Sequence, residues 1–210
     1  IDLTLVKKYF DVVEQPEQAD FAICLIQEPS TGIGYSNDDV KKGGNGYLPF
    51  SLQYSDYTAR DARAVSISGG DPMEKTKNRS FKGKTIKAYN RDDMQMVSDT
   101  KRLMGEKPVI VIVEIGKPMV FSEIEPSADA ILISFKVQHQ ALLDIISGKA
   151  EPSALLPMQM PADMTTVEQQ QEDVPRDMRC YQDADGNTYD FAFGLNWQGV
   201  IKDARVEKYK

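Results

Sequence analysis

The sequence predicts an α/β fold, a three-layer α/β/α sandwich with a mostly parallel central sheet. Two observations predict it: apolar runs rich in β-branched residues recur along the chain, and segments with helical periodicity separate them. The chain has 210 residues, 41% of them hydrophobic, which is enough for a sizeable core. We therefore expect residues 1–210 to form a single domain.

Three apolar runs are the main strand candidates: Phe21–Ile26, Val109–Val113 and Ala130–Phe135. The last two lack polar alternation, as expected of strands that are covered on both faces. Tyr9–Val13 is a weaker fourth candidate. Three helices are predicted, one behind Asn90 that ends at Gly105, one from His139 to Ser147, and a short one from Thr165 to Gln171.

Residues 29–90 interrupt this alternation. The stretch from Pro29 to Gly46 is rich in Gly, Asn and Asp, and no apolar periodicity predicts a helix or strand there. Its acids Asp38 and Asp39 are interpreted as solvated loop residues. The excursion follows Glu28, at the carboxyl end of a predicted parallel strand, which is where ligands of open α/β sheets bind. We expect the functional site in this region.

Composition and motifs exclude several classes of function. The net charge of −7 argues against nucleic acid as a partner, and no apolar run approaches the ~20 residues that span a bilayer. His139 is the only histidine, and Cys24 and Cys180 lie far apart in sequence, so no zinc-ligand spacing is present and no metal is predicted. No cofactor is predicted either. A flavodoxin-like or nucleotide-binding domain stays open as an alternative, although no phosphate-binding turn is present.

Four ordered segments carry a resemblance to a known family. They are Gly116–Val120, Ser127–Leu132, Glu151–Pro161 and Tyr189–Trp197. Together they resemble the C-terminal domain of family 3 glycoside hydrolases, the β-glucosidase-like enzymes. The resemblance implies the three-layer α/β fold, which the alternation of elements predicts independently. It also implies a positive φ at Gly194, in the last of the four segments.

The resemblance implies retaining hydrolysis of β-linked glucosides or oligosaccharides by an intact enzyme. Such enzymes use two carboxyl groups, one as nucleophile and one as acid/base. In the resembled family the nucleophilic Asp belongs to an N-terminal barrel domain, which is absent from this chain and is its implied partner. We therefore expect the chain alone to be inactive. The resemblance also implies a periplasmic or secreted enzyme.

Within this chain the resemblance points to Glu74 as the acid/base, because Glu74 precedes Asn78 and Arg79 much as the family's acid precedes an Asp-Arg pair. Glu28 is the runner-up, with ordering of the following loop as its other role. At least one aromatic ring of the excursion is expected to stack on a sugar; the candidates are Tyr35, Tyr47, Phe50, Tyr54 and Tyr57. A non-catalytic scaffold or carbohydrate-binding module is the alternative to an enzyme domain.

Overall fold

The computed structural model describes residues 1–66, 77–171 and 173–209. In chain order its elements are α1 (Leu3–Val6), β1 (Ala22–Gln27), α2 (Asn37–Lys41), β2 (Tyr57–Thr58), β3 (Thr85–Ile86), α3 (Asp92–Met104), β4 (Val109–Glu114), β5 (Ala130–Ser134), α4 (His139–Ile146), α5 (Met164–Gln169), β6 (Leu195–Asn196), β7 (Gly199–Val200) and α6 (Ala204–Tyr209).

The central sheet is parallel and has the strand order β1-β4-β5. Its three strands are the three main apolar runs of the sequence. In the middle strand, Val111, Ile112 and Val113 are all fully buried. Because successive side chains of a strand point to opposite faces, both faces of the sheet are covered. The predicted α/β fold with a mostly parallel central sheet is confirmed.

One face of the sheet carries the main core. Val97 and Met104 of α3 belong to the same buried cluster as Cys24 of β1 and Val111 of β4. Two short 3₁₀ turns between β4 and β5 add Phe121 and Ile124 to that cluster. Both crossovers of the parallel sheet therefore pass over this face, as successive right-handed connections in one direction must.

The prediction of a strand over Tyr9–Val13 is wrong. This segment follows α1 and forms no strand. The ring of Phe10 packs edge-on against Phe21, with 5.2 Å between centroids, and the Tyr9 hydroxyl donates to the carboxylate of Asp144 in α4 at 2.7 Å. The aromatic side chains that suggested a strand instead fasten the N-terminal segment to the domain.

The region after β1 contains more structure than the sequence predicts. Ser36 caps α2 by accepting a hydrogen bond from the backbone nitrogen of Asp39 at 3.2 Å, and β2 pairs with β3 in a small antiparallel sheet. The interpretation of Asp39 as a solvated residue is also wrong. Its carboxylate accepts hydrogen bonds from the backbone nitrogen of Gly46 and from Nζ of Lys84, each at 2.7 Å. Asp39 therefore holds the glycine-rich loop closed.

The C-terminal segment closes the core but does not join the central sheet. Tyr189 packs between Phe121 and Phe193, with ring centroids 5.5 and 5.2 Å away. The following β6 and β7 pair only with each other in the described part of the chain. The segment from Tyr189 therefore packs on the core and, in the described part of the chain, adds no strand to the central sheet.

The positive φ expected at Gly194 is wrong, and the neighbouring Ala192 has φ 68° instead. Gly194 is required for a different reason: a Cβ at this position would lie 2.2 Å from the carbonyl oxygen of Ala154. The two chain segments are drawn together by hydrogen bonds from Leu156 to Phe193 and from Ala192 to Leu156, at 2.7 and 2.9 Å. Close backbone approach therefore excludes a side chain.

Candidate functional site at the carboxyl edge of the sheet

The carboxyl ends of the three parallel strands meet around one small cavity. Its volume is about 120 Å³, and its lining residues are Gln27, Glu28, Glu114, Ile115, Gly116 and Lys136. A larger groove of about 1000 Å³ lies beside the N-terminal segment and shares no lining residue with this cavity. The small cavity is the one at the edge where open α/β sheets bind ligands.

Glu28 connects the end of β1 to the loop after β4. One oxygen of its carboxylate, Oε2, accepts hydrogen bonds from the backbone nitrogens of Gly116 and Lys117, the latter at 3.0 Å. The ammonium of Lys117 lies 3.9 Å from Oε1 of Glu28 and donates to the carbonyl oxygen of Pro29 at 2.6 Å. This geometry orders the loop after β4, whereas the sequence suggested that Glu28 orders the loop that follows it. Its role as acid/base stays a prediction.

Two further residues, Glu114 and Lys136, line the same cavity, and neither was a predicted site residue. Glu114 is the last residue of β4, and its Oε1 lies 3.5 Å from Nε2 of His139, the first residue of α4. Lys136 follows β5 with a backbone φ of 57°, in the left-handed region. The usable sequence signal is position, since both residues stand at or just after the carboxyl end of a predicted parallel strand.

A buried tyrosine makes a hydrogen bond to the last residue of β1, at this edge of the sheet. The side chain of Tyr54 is fully buried, and its hydroxyl donates to the carbonyl oxygen of Gln27. Burial raises the pKa of Tyr54, and the carboxylates of Asp93, Glu123 and Glu28 raise it further. The phenol therefore keeps its proton and remains a hydrogen-bond donor.

Asn90 links the sheet to the start of α3. Its side-chain nitrogen donates to the carbonyl oxygen of Glu28 at 3.0 Å, and its side-chain oxygen accepts from the backbone nitrogen of Ser30 at 2.9 Å. Asp93 accepts hydrogen bonds from the side-chain nitrogen of Asn90 and from the backbone nitrogen of Gln27, at 3.0 and 3.1 Å. The first turn of α3 therefore fixes where β1 ends.

Glu74, the first candidate for the acid/base, lies outside the described residues. The residues that flank it in sequence are described and meet: Ser66 donates from its backbone nitrogen to Oδ1 of Asn78 at 2.9 Å, and the backbone nitrogen of Arg79 donates to the carbonyl oxygen of Ser66 at 2.8 Å. The guanidinium of Arg79 lies over the ring of Tyr47, 5.6 Å from its centroid. Asn78 and Arg79 thus make structural contacts at the base of this segment.

The aromatic candidates of the excursion divide into two groups. Tyr54 and Tyr57 are buried and are unable to stack on a ligand, and the half-buried ring of Tyr47 lies under the Arg79 guanidinium, whereas Tyr35 and Phe50 are 44% and 57% exposed. Tyr89, which the sequence analysis did not select, is 74% exposed. Aromatic rings also lie close to the backbone at three glycines of this region. A Cβ at Gly34 would lie under 3.0 Å from Phe50, and the same holds for Gly32 with Tyr89 and for Gly46 with Tyr35.

Neither a metal centre nor a membrane-spanning helix is seen in the described ranges. Within residues 1–66, 77–171 and 173–209, no group of three or more His, Cys, Asp or Glu side chains is arranged to hold a metal ion. Over the same part of the chain, every helix is too short or too polar to cross a membrane.

Comparison with known proteins finds a family profile that matches most of the chain and relatives that match part of it. The sequence profile described as "Glycosyl hydrolase family 3 C-terminal domain" matches residues 7–197. A probable β-glucosidase C of Aspergillus flavus is 34% identical over 96 residues, which are 46% of this chain and 14% of that protein. A β-glucosidase C of Emericella nidulans is 34% identical over 76 residues, which are 36% of this chain and 12% of that protein. The aligned regions are thus a small part of each relative's length.

Proposed function

Because this chain belongs to the glycosyl hydrolase family 3 C-terminal domain family, we propose that it is the C-terminal domain of a retaining β-glucosidase-like glycoside hydrolase. The match over residues 7–197 carries the proposal, and the β-glucosidases among its relatives supply the substrate class, β-linked glucosides or related oligosaccharides. A periplasmic or secreted location is part of the same proposal.

The proposed division of labour follows from the chemistry of retention. A retaining enzyme needs a nucleophilic carboxylate and an acid/base carboxyl ~5–5.5 Å apart across the scissile bond. We assign the nucleophile to an N-terminal barrel domain of the same protein. This domain supplies the acid/base, with Glu74 as first candidate and Glu28 as second, and part of the rim of the sugar site.

Two features of Glu28 favour Glu74 over it. Oε2 of Glu28 already accepts hydrogen bonds from two backbone N–H groups, whereas an acid/base must be free to reach the leaving-group oxygen of the substrate. The other oxygen, Oε1, lies 3.9 Å from the ammonium of Lys117, which belongs to the same loop. Glu28 is thus better suited to holding the loop than to delivering a proton.

Chemical rescue in the intact polypeptide tests the assignment. Glu74→Ala is expected to lose most activity on alkyl glucosides, to keep more glycosylation of activated aryl glucosides, which need little protonation, and to regain turnover with azide. Glu28→Ala is the parallel variant, and Glu106→Ala, at an exposed position after α3, is the matched control. Rescue at position 28 but not at 74 would transfer the role, and wild-type activity of both variants on alkyl glucosides would exclude both residues.

A carbohydrate-binding module without catalysis is the second candidate function. The exposed rings of Tyr35, Phe50 and Tyr89 favour it, since exposed aromatic faces stack on the apolar faces of sugar rings. Absence of any glucoside hydrolysis by the intact polypeptide, together with glycan affinity of the chain alone, would select this function over the enzyme.

A further inference from the structure

The cavity at the carboxyl edge of the sheet has polar groups whose hydrogen-bonding capacity is unused. Glu28 is occupied by the loop after β4, as described above. Glu114, by contrast, offers one oxygen to His139 at 3.5 Å, and within the described residues its other oxygen makes no hydrogen bond or ion pair. The same holds for the ammonium of Lys136 across the described ranges. Two residues that line the cavity, Glu114 and Lys136, thus carry an acceptor and a donor with unused hydrogen-bonding capacity.

The backbone of Lys136 gives an independent indication of function. Its φ of 57° lies in the left-handed region, where a side chain with a Cβ is disfavoured and glycine is the default residue. The side chain is exposed, so core packing does not explain a lysine there. Residues in such conformations concentrate at ligand sites, where contacts of the side chain with the ligand outweigh the free-energy cost of the backbone conformation.

The charges around the cavity select the chemistry of its ligand. The acidic lining residues Glu28 and Glu114 are balanced by the lining residue Lys136 and by Lys117, whose ammonium lies 3.9 Å from Glu28, so no net charge selects an anion or a cation. A neutral polyol can use both kinds of group, because each hydroxyl donates to a carboxylate and accepts from an ammonium. The volume of about 120 Å³ is several times the ~30 Å³ of one water, enough for the edge of a sugar ring.

We propose that Glu114, Lys136 and His139 form a binding subsite for two adjacent hydroxyls of a neutral pyranose. Glu114 accepts a hydrogen bond from one hydroxyl, Lys136 donates to its neighbour, and His139 holds the Glu114 carboxylate in place. The choice of a sugar among polyols rests on the proposed function. The subsite itself rests on the cavity and its unused donor and acceptor.

The single histidine makes this subsite directly measurable. In a ¹H–¹³C NMR spectrum of the 210-residue chain, the imidazole signals come from His139 alone. Titration with methyl β-D-glucopyranoside is expected to shift them saturably, with a Kd on the order of 1–10 mM for so few contacts. The control ligand is 2-(hydroxymethyl)tetrahydropyran, which has the ring but no adjacent ring hydroxyls. Equal shifts with both ligands, or none with the glucoside, would overturn the proposal.

Variants separate binding from folding. Glu114→Gln and Lys136→Met are expected to weaken binding at least tenfold, whereas Lys202→Met, outside the cavity lining, is expected to leave the Kd unchanged. Lys136→Gly is the sharpest variant, because glycine relieves the left-handed backbone: it should raise Tm and still lose binding. Wild-type affinity of Lys136→Gly, at unchanged or higher Tm, would refute the subsite.

The sugar subsite and the proposed enzyme function can fail independently of each other. Hydrolysis of glucosides by the intact polypeptide without sugar binding to the chain would remove the subsite and keep the enzyme. Saturable glucoside binding at His139 without hydrolysis by the intact polypeptide would keep the subsite and favour the carbohydrate-binding module.

Discussion

Glu28 and Lys117 are joined twice at the carboxyl edge of the sheet: the backbone nitrogen of Lys117 donates to Oε2 of Glu28 at 3.0 Å, and its ammonium lies 3.9 Å from Oε1. The two residues belong to loops that follow different strands, β1 and β4. One carboxylate therefore sets the relative position of the loops that border the candidate site.

Removing the Glu28 carboxylate should destabilise this edge. In Glu28→Ala the backbone nitrogens of Gly116 and Lys117 lose their acceptor, and loss of hydrogen bonds to a charged group should lower the free energy of unfolding by about 1–3 kcal/mol. Glu28→Gln keeps an acceptor oxygen and should lose less. Urea denaturation of the chain measures both, with Glu106→Ala as control. Equal stability of Glu28→Ala and wild type would contradict an ordering role.

Asp39 should stabilise the glycine-rich loop in a pH-dependent way. Its hydrogen bond with Lys84, then that with the Gly46 backbone, lower the pKa of Asp39 below its ordinary 3.8. A lowered folded-state pKa means that the stabilisation is present above the unfolded-state value and is lost as pH falls through the folded-state value. Asp39→Ala should therefore cost about 1–2 kcal/mol at pH 7, and the difference from wild type should shrink below about pH 4.

Asp38→Ala is the matched control for that measurement. Asp38 is adjacent in sequence but pairs with Lys41 at 3.1 Å on an exposed surface, where such pairs contribute little. Urea denaturation at pH 7 and pH 3 should show a large, pH-dependent effect for Asp39 only. Equal effects of the two variants at pH 7 would mean that Asp39 is as solvated as the sequence suggested.

Gly194 and Gly186 should respond to alanine for different reasons. At Gly194 a Cβ would lie 2.2 Å from the Ala154 carbonyl oxygen, so the backbone must shift, at a cost of about 1–3 kcal/mol. Gly186 has φ 83° with open space around the Cβ position, so only the left-handed conformation is penalised, by about 1–2 kcal/mol.

Replacement with D-alanine by chemical protein synthesis separates the two causes. D-alanine tolerates positive φ, so it should restore wild-type stability at position 186, as followed by thermal unfolding. If D-alanine at position 186 proves as destabilising as L-alanine, the conformational explanation for that glycine fails.

The sequence predicted the sheet well because its determinants are local. Buried parallel strands are short runs such as Val109–Val113, and no distant contact is needed to recognise them. The loop around Asp39 was missed because its structure depends on Lys84, 45 positions away. Lys136 and Glu114 were missed for the same reason, since only the pairing of β4 with β5 places them at one cavity. Gly194 was assigned the wrong cause because a close approach to Ala154 leaves no local sequence signal.

The last prediction is that the 210-residue chain folds but hydrolyses no aryl β-glucoside above a buffer control. It has a buried core on a parallel sheet, so a cooperative thermal transition is expected. Retaining hydrolysis requires a nucleophile as well as an acid/base, and we assign the nucleophile to a separate barrel domain. The measurement is release of nitrophenol from 4-nitrophenyl β-D-glucopyranoside by the folded chain. Turnover that survives repurification and disappears in Glu74→Ala or Glu28→Ala would place a complete active site within these residues and refute the division between two domains.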